Sequence, residues 1–238
     1  MSVIKVEDLS AAYGLNPVLW DIELEIKENT LSAIVGPNGA GKSTLIKCIL
    51  GFLKPVSGKV TLFNKPLKKV LERIAYVPQH SSVNWDFPIS VFDVVLMGRY
   101  KHNRLFQRVS KLDKEITADS LKQMNLYELK DRHIADLSGG QKQRVFIARA
   151  LAQNADLLIM DEPLAGVDKK SEEIIMNKIR DLKENQNKTI ICVHHDLNTL
   201  NEYFDDVILV NRLIKYHGPI KNMTPDILNA TYKEHLDV

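Results

Sequence analysis

The chain has 238 residues, enough for one large domain whose core needs no disulfide or metal to hold it. Apolar residues make up 45% and charged residues 26%, and 32 Lys plus Arg against 30 Asp plus Glu leave a net charge of +2. These values exclude low-complexity disorder, collagen and a disulfide scaffold, and they lack the basic excess of a nucleic-acid binder.

Trp20 to Lys27 alternates apolar with charged residues, the pattern of a strand with one face in water. Leu31 to Val35 is a short, mostly apolar run ending at Gly36 and predicts a buried strand. A helix is expected from Lys42 to Leu50, stopped by Gly51. Val60 to Phe63 and Ile74 to Val77 read as strands, and the stretch at about 88–150 as helical. Within it, Asp113 to Met124 carries spaced apolar positions, and Val145, Ala148, Leu151 and Ala152 share one helix face. Leu157 to Met160 and Thr189 to Val193 predict two more buried strands, with Ile175, Ile179 and Leu182 marking an amphipathic helix between them. Val207 to Val210 and Leu213 to His217 suggest a hairpin across Asn211-Arg212, and Thr224 to Val238 a short terminal helix. Strands alternating with helices predict an α/β fold with parallel central strands. Cys48 and Cys192 sit in apolar stretches and fit a reducing compartment. The opening residues lack the apolar core of a signal peptide, and no run of about 18 apolar residues could span a membrane. A cytoplasmic chain is expected.

The strongest signal is Gly36-Pro37-Asn38-Gly39-Ala40-Gly41-Lys42-Ser43-Thr44, a G-x-x-x-x-G-K-[ST] run between a predicted strand and a predicted helix. Glycines let the backbone wrap an anion, and the helix start adds its positive end. Lys42 is expected to reach the β- and γ-phosphates, and the Ser43 hydroxyl to take one Mg²⁺ position. Downstream, the apolar run Leu157 to Met160 ends in Asp161-Glu162. Asp161 is expected to hold Mg²⁺, and Glu162 to orient and deprotonate the attacking water.

Leu137-Ser138-Gly139-Gly140-Gln141 opens the helix that bears Val145. Ser138 and Gln141 fit a capping box, and the same exposed helix start could hold an anion. A phosphate loop, then LSGGQ, then an apolar strand ending in Asp-Glu closely resembles the ATP-binding-cassette ATPases, over essentially the whole chain. The resemblance implies a P-loop NTPase core at about 1–87 and 151–238 with a parallel central sheet and an antiparallel β subdomain, and an inserted helical subdomain at about 88–150. It implies that Tyr13 stacks on adenine, a chemistry aromatic rings perform well, although a plain strand-end aromatic is the other reading. It implies that Gln79 touches Mg²⁺ and water and signals to a transport partner, against the alternative of an exposed turn residue. It makes Asp168 the aspartate of a dimer loop and His195 a residue that contacts the γ-phosphate. His194 and His195 as strand neighbours would face opposite ways and could not chelate one ion.

The same resemblance implies a head-to-tail dimer, with ATP between Lys42 of one copy and Ser138, Gly139, Gly140 and Gln141 of the other. Single copies of each motif and the missing heptads argue against cassette proteins that act on DNA or ribosomes, so no nucleic-acid partner is expected. The filled catalytic positions argue against a regulatory subunit. The segment after Gln79, His80-Ser81-Ser82-Val83-Asn84-Trp85-Asp86-Phe87-Pro88-Ile89-Ser90-Val91 running into Val94-Val95-Leu96-Met97-Gly98-Arg99-Tyr100, resembles that of manganese, zinc and iron uptake ATPases. The implied role is an importer's ATPase at the cytoplasmic side of the cell membrane, peripheral to a separate permease that docks near Gln79 to Tyr100. An extracytoplasmic metal-binding protein would be an indirect partner. Trp85 and Phe87 are either interface anchors or core of the helical subdomain. A siderophore or vitamin cargo, or an exporter, is the alternative.

Overall fold

The computed structural model of the chain describes residues 1–83, 85–100 and 108–233. Asn84 of the segment after Gln79, and residues 234–238 of the expected terminal helix, lie outside the described residues. In chain order come strands β1 (Ser2–Tyr13), β2 (Asn16–Lys27) and β3 (Leu31–Val35), helix α1 (Lys42–Ile49), and strands β4 (Ser57–Leu62) and β5 (Ile74–Val77). Helices α2 (Val91–Leu96), α3 (Lys111–Gln123) and α4 (Gly139–Gln153) follow, then β6 (Leu157–Met160), α5 (Lys169–Gln186) and β7 (Thr189–Val193). The chain continues through α6 (Leu200–Tyr203), β8 (Asp206–Asn211), β9 (Leu213–Pro219) and α7 (Pro225–Lys233). It divides into two compact units, Met1–Leu71 with Asn187–Val238, and Glu72–Gln186.

The first unit holds two kinds of strand. β1 lies antiparallel between β2 and β4, and along β2 the residues Ile22, Leu24 and Ile26 are buried while their neighbours face water. That alternation is what one wet and one packed face demand. β3 instead is buried at every residue and runs parallel to β7 on one side and β8 on the other, so that Ile34 pairs with both Val193 and Ile208. β9 returns antiparallel to β8 through a turn in which Arg212 adopts φ 60°. α1 ends as expected, with Leu50 at its C-cap and Gly51 in the left-handed region.

In the second unit, β5 and β6 run parallel, with Val77 opposite Met160. The stretch expected to be helical carries α2, α3 and α4, with one 3₁₀ turn directly after α2 and two between α3 and α4; residues 101–107 of that stretch lie outside the described residues. Val145, Ala148 and Ala152 of α4 are buried, as are Ile175, Ile179 and Leu182 of α5. Both sets follow the helical period. One expectation fails. β7 stops at Val193, so His194 and His195 are not strand neighbours. The His194 N–H still donates to Ile34 O (3.0 Å), but Asp196 then starts a turn by accepting from the Asn198 N–H (2.9 Å). Such side-chain hydrogen bonds by Asp compete with continuation of a strand. No described helix is long and apolar enough to cross a membrane.

Candidate functional site

The loop Gly36 to Thr44 joins β3 to α1 in the first unit. Gly36 is packed so closely that a Cβ there would lie 2.0 Å from the carbonyl oxygen of Val210. Gly39 and Gly41 take φ of 79° and 96°, the left-handed region that glycine enters at little cost. Gly41 is the N-cap of α1, and among the described residues no side chain caps that helix start. The Lys42 side chain is 6% exposed, and its ammonium donates to Gly36 O (2.7 Å) and Pro37 O (2.8 Å). A buried cation is thus held over the loop by carbonyl dipoles, next to the positive end of α1. Tyr13 ends β1 with a ring 45% exposed, and its hydroxyl accepts from Lys47 Nζ on α1 (3.4 Å). An exposed aromatic face thus stands beside the helix that the loop begins.

His194 and His195, in the same unit, differ. His194 is buried, its Nε2 is 2.8 Å from Thr199 Oγ1, and burial holds its pKa below the ordinary histidine value. His195 is exposed.

In the second unit, the N–H of Asp161 donates to Val77 O (2.9 Å) and so extends the β5–β6 pairing by one residue. Asp161 is 4% exposed. The Tyr76 hydroxyl is pushed up to about 12, mainly by burial and further by the Asp161 charge. Glu162 leaves the strand at φ 53°, a left-handed conformation that a glutamate adopts only where its surroundings enforce it. Its Oε2 accepts from Gln79 Nε2 at 2.7 Å. That amide orientation turns the oxygen of Gln79 away from the carboxylate. Asp161 and the Gln79 amide oxygen are hard oxygen donors of the kind Mg²⁺ takes, and so, in the first unit, is the Ser43 hydroxyl. Among the described residues no group of three His, Cys, Asp or Glu could hold a metal ion by itself.

The second glycine motif forms the expected capping box. The Ser138 Oγ accepts from the Gln141 N–H (3.3 Å), and Gln141 Oε1 accepts from the Ser138 N–H (3.0 Å). Ser138 and Gly139 are exposed, whereas Gly140 is buried. A Cβ on Gly140 would lie 2.7 Å from Ser171 Oγ and 2.8 Å from Asp168 Oδ2. Asp168 caps α5: its Oδ1 accepts from the Ser171 N–H (2.9 Å) and its Oδ2 from the Ser171 hydroxyl (2.8 Å). These bonds, the backbone one first, hold its carboxyl below the ordinary range. Ser171 is a contact that sequence reasoning missed. Its signal was Asp168-Lys-Lys-Ser171, an N-cap residue with a hydroxyl three positions on.

Trp85 and Phe87 divide. Trp85 stacks on His80 (centroids 4.7 Å apart), meets Phe146 of α4 edge-on (5.0 Å) and donates its Nε1–H to His80 O (3.0 Å). Phe87 is 62% exposed.

Residues 19–165 match the family model described as ABC transporter. The chain belongs to the ABC transporter family. It is the family's ATPase component, which binds nucleotide and couples its hydrolysis to transport. It is 47% identical over 230 residues to the zinc transport system ATP-binding protein TroB of Treponema pallidum, covering 96% of this chain and 86% of that one. It is also 47% identical over 233 residues to the manganese transport system ATP-binding protein MntB of Bacillus subtilis, covering 98% and 93%. Among solved structures, an ATP-binding cassette in a dimeric post-hydrolysis state bound to ADP and phosphate superposes with a TM-score of 0.80. It is 26% identical, covering 92% of this chain and all of that one.

Proposed function

We propose that this ATPase powers uptake of a divalent transition metal through a separate membrane permease, with manganese ahead of zinc and zinc ahead of iron. The observation that carries the cargo is the 47% identity, over nearly the whole chain, to relatives named for manganese and zinc transport. In this reading the protein sits on the cytoplasmic face of the membrane, and the permease docks on the stretch from Gln79 to Tyr100, where Phe87 and Tyr100 are exposed. An extracytoplasmic metal-binding protein delivers the cargo, which never touches the ATPase.

The working unit is a head-to-tail dimer, a form that a structurally similar cassette adopts with ADP and phosphate bound. The loop Gly36 to Thr44 wraps the phosphates, Lys42 neutralises the β- and γ-phosphate oxygens, and Tyr13 carries the adenine. Ser138, Gly139, Gly140 and Gln141 of the other copy meet the γ-phosphate, with Asp168 in the loop that crosses between copies. Mg²⁺, held by Ser43, Gln79 and Asp161, supplies positive charge on the phosphate oxygens. Glu162 accepts a proton from water as the water oxygen bonds to the γ-phosphorus and the bridging oxygen leaves with ADP. The 2.7 Å bond from Gln79 to this carboxylate supports that role. His195 contacts the γ-phosphate. Two positively charged sites closing on one anion make ATP the adhesive of the dimer, and hydrolysis releases it.

The test uses Glu162→Gln, which keeps the shape and removes the base. Hydrolysis is expected to fall about 100-fold or more, while ATP binding persists and the protein elutes as an ATP-bound dimer. Cells carrying this variant in place of the native copy, grown in metal-poor medium, are expected to lose manganese selectively. Normal turnover would sink the role of Glu162, and unchanged manganese, zinc and iron would sink the cargo.

A further inference from the structure

In α4, Gly139, Lys142 and Phe146 stand three and four residues apart, so they share one face of the helix. Two residues of the segment after Gln79 cover that face. The Trp85 ring meets Phe146 edge-on (5.0 Å), and the Lys142 ammonium stands 5.5 Å from its centre. His80 stacks on the same ring at 4.7 Å, with the planes 26° apart, and its carbonyl accepts the Trp85 Nε1–H (3.0 Å). The edge of the imidazole then faces the start of α4: a Cβ on Gly139 would lie 4.0 Å from His80 Nε2. Glycine has no such atom, so no side chain of residue 139 stands between the ring and the helix backbone.

His80 Nε2 is shut off from solvent and has no hydrogen-bond partner among the described residues. A nitrogen so placed costs desolvation with no bond to offset it. Burial first, and the Lys142 charge second, hold the His80 pKa below the ordinary histidine value, so near neutral pH the ring sets no charge against that ammonium. What the ring contributes here is its shape. The capping box closes the first turn of α4 on itself, but it does not set where that turn points. What packs against the turn does. Against Gly139 lie the imidazole and Gly166 O, the latter 3.8 Å from the same Cβ position, while Ser138 and Gly139 remain exposed. A surface offered to an anion binds better when it is already aimed. The residue before His80, Gln79, donates to Glu162 Oε2 (2.7 Å). Two adjacent residues thus touch the carboxylate read as the base and the helix start read as the contact of the second copy.

We propose that His80 is a positioning residue for the nucleotide of the second copy: stacked on Trp85, its ring sets the direction in which Ser138 and Gly139 are held out to the γ-phosphate. It acts through the helix start and makes no contact with the nucleotide. The inference rests on the reading of the α4 start as an anion site for the other copy.

The test uses the full-length protein carrying Glu162→Gln, in which ATP is expected to hold two copies together. Into it are placed His80→Ala, which removes the ring, and His80→Phe, which keeps a ring to stack and drops the unpartnered nitrogen. ATP-driven dimerisation is followed by analytical ultracentrifugation, ADP binding by calorimetry, and folding by the unfolding midpoint. ADP lacks the γ-phosphate, so its affinity reads the Gly36 to Thr44 loop of the same chain alone. With His80→Ala the dissociation constant of the dimer in saturating ATP is expected to rise about five-fold, the weight of one aromatic pair, with ADP affinity unchanged. With His80→Phe dimerisation should stay native. His80→Gln, which also lacks a ring, takes the place of His80→Ala if that variant fails to fold. A merely structural role would lower the midpoint and leave the dimer constant alone. Native dimerisation without the ring, an equal loss in His80→Phe, or a matching loss of ADP affinity would each overturn the inference. Ser138→Asp in the same background separates the two levels. If it dimerises normally with ATP, the reading of the α4 start fails; if it does not while His80→Ala does, only the role of His80 fails.

Discussion

Helices α1 and α4 both begin at glycines, and they are finished in opposite ways. At α1 the N-cap is a left-handed Gly41 with no side-chain cap among the described residues, and a buried lysine is folded onto the loop carbonyls. At α4 a complete capping box between Ser138 and Gln141 closes the helix start. A helix start without a side-chain cap is one that a phosphate can complete. A start that is already capped folds by its own means and presents Ser138 and Gly139 to solvent. In the proposed function the first start belongs to a loop that builds its own nucleotide site, and the second to a motif offered to a second copy of the chain.

Breaking the first helix start should have the largest effect. In Gly36→Ala the new methyl would meet the Val210 carbonyl at 2.0 Å, and a backbone atom cannot swing aside as a side chain can. A loss of about 3 kcal/mol is expected, the upper end of overpacking costs, together with loss of nucleotide binding. Urea unfolding and ATP calorimetry check both; a normal midpoint would show that β8 yields.

The α4 start should separate stability from activity. Ser138→Ala removes the cap and is expected to cost about 1 kcal/mol. Ser138→Asp restores a capping oxygen and adds negative charge beside the helix's positive end, so stability should return to the native level or above it. Hydrolysis should be lost all the same, because that charge would repel a γ-phosphate. A Ser138→Asp protein that hydrolyses ATP normally would show that this helix start meets no anion.

The contrast between the two helix starts was partly legible in the sequence. Ser138 and Gln141 stand at capping-box spacing, and the glycine-lysine-serine run announces its loop, because both depend on residues close together in the chain. The Gln79–Glu162 bond was expected only as two separate roles. Nothing local in either residue specifies a partner 83 positions away. The seating of Gly140 on Ser171 and Asp168, and the approach of His80 to Gly139, are invisible for the same reason. They are set by how helices settle on their neighbours, not by any local period. Trp85 shows a further limit. An aromatic in a loop reads equally well as an anchor for a partner or as packing, and only its stack on His80 and its edge contact with Phe146 assign it to packing.

α3 carries the same kind of box as α4, with one change that makes it sensitive to acid. There the Ser110 Oγ accepts from the Asp113 N–H (3.1 Å), and Asp113 Oδ2 accepts from the Ser110 hydroxyl (2.6 Å) and N–H (3.1 Å). Arg99 Nε adds a bond to Oδ1 at 3.1 Å. The Ser110 hydroxyl above all, and Arg99 after it, bring the Asp113 carboxyl down to about 2. In the unfolded chain the same group binds its proton near the ordinary value of about 3.9. The folded pKa is the lower one, so the stabilisation is fully present above about pH 4 and is lost as pH falls toward about 2. Gln141 has no proton to gain, so the α4 box should survive that range. Amide exchange at the first turns of α3 and α4 would compare them in one sample. Protection at α3 should fall between about pH 4 and pH 2, and Asp113→Asn should flatten that fall. Equal loss at both helices in that window would mean that acid acts on the whole unit and not on the Asp113 carboxylate.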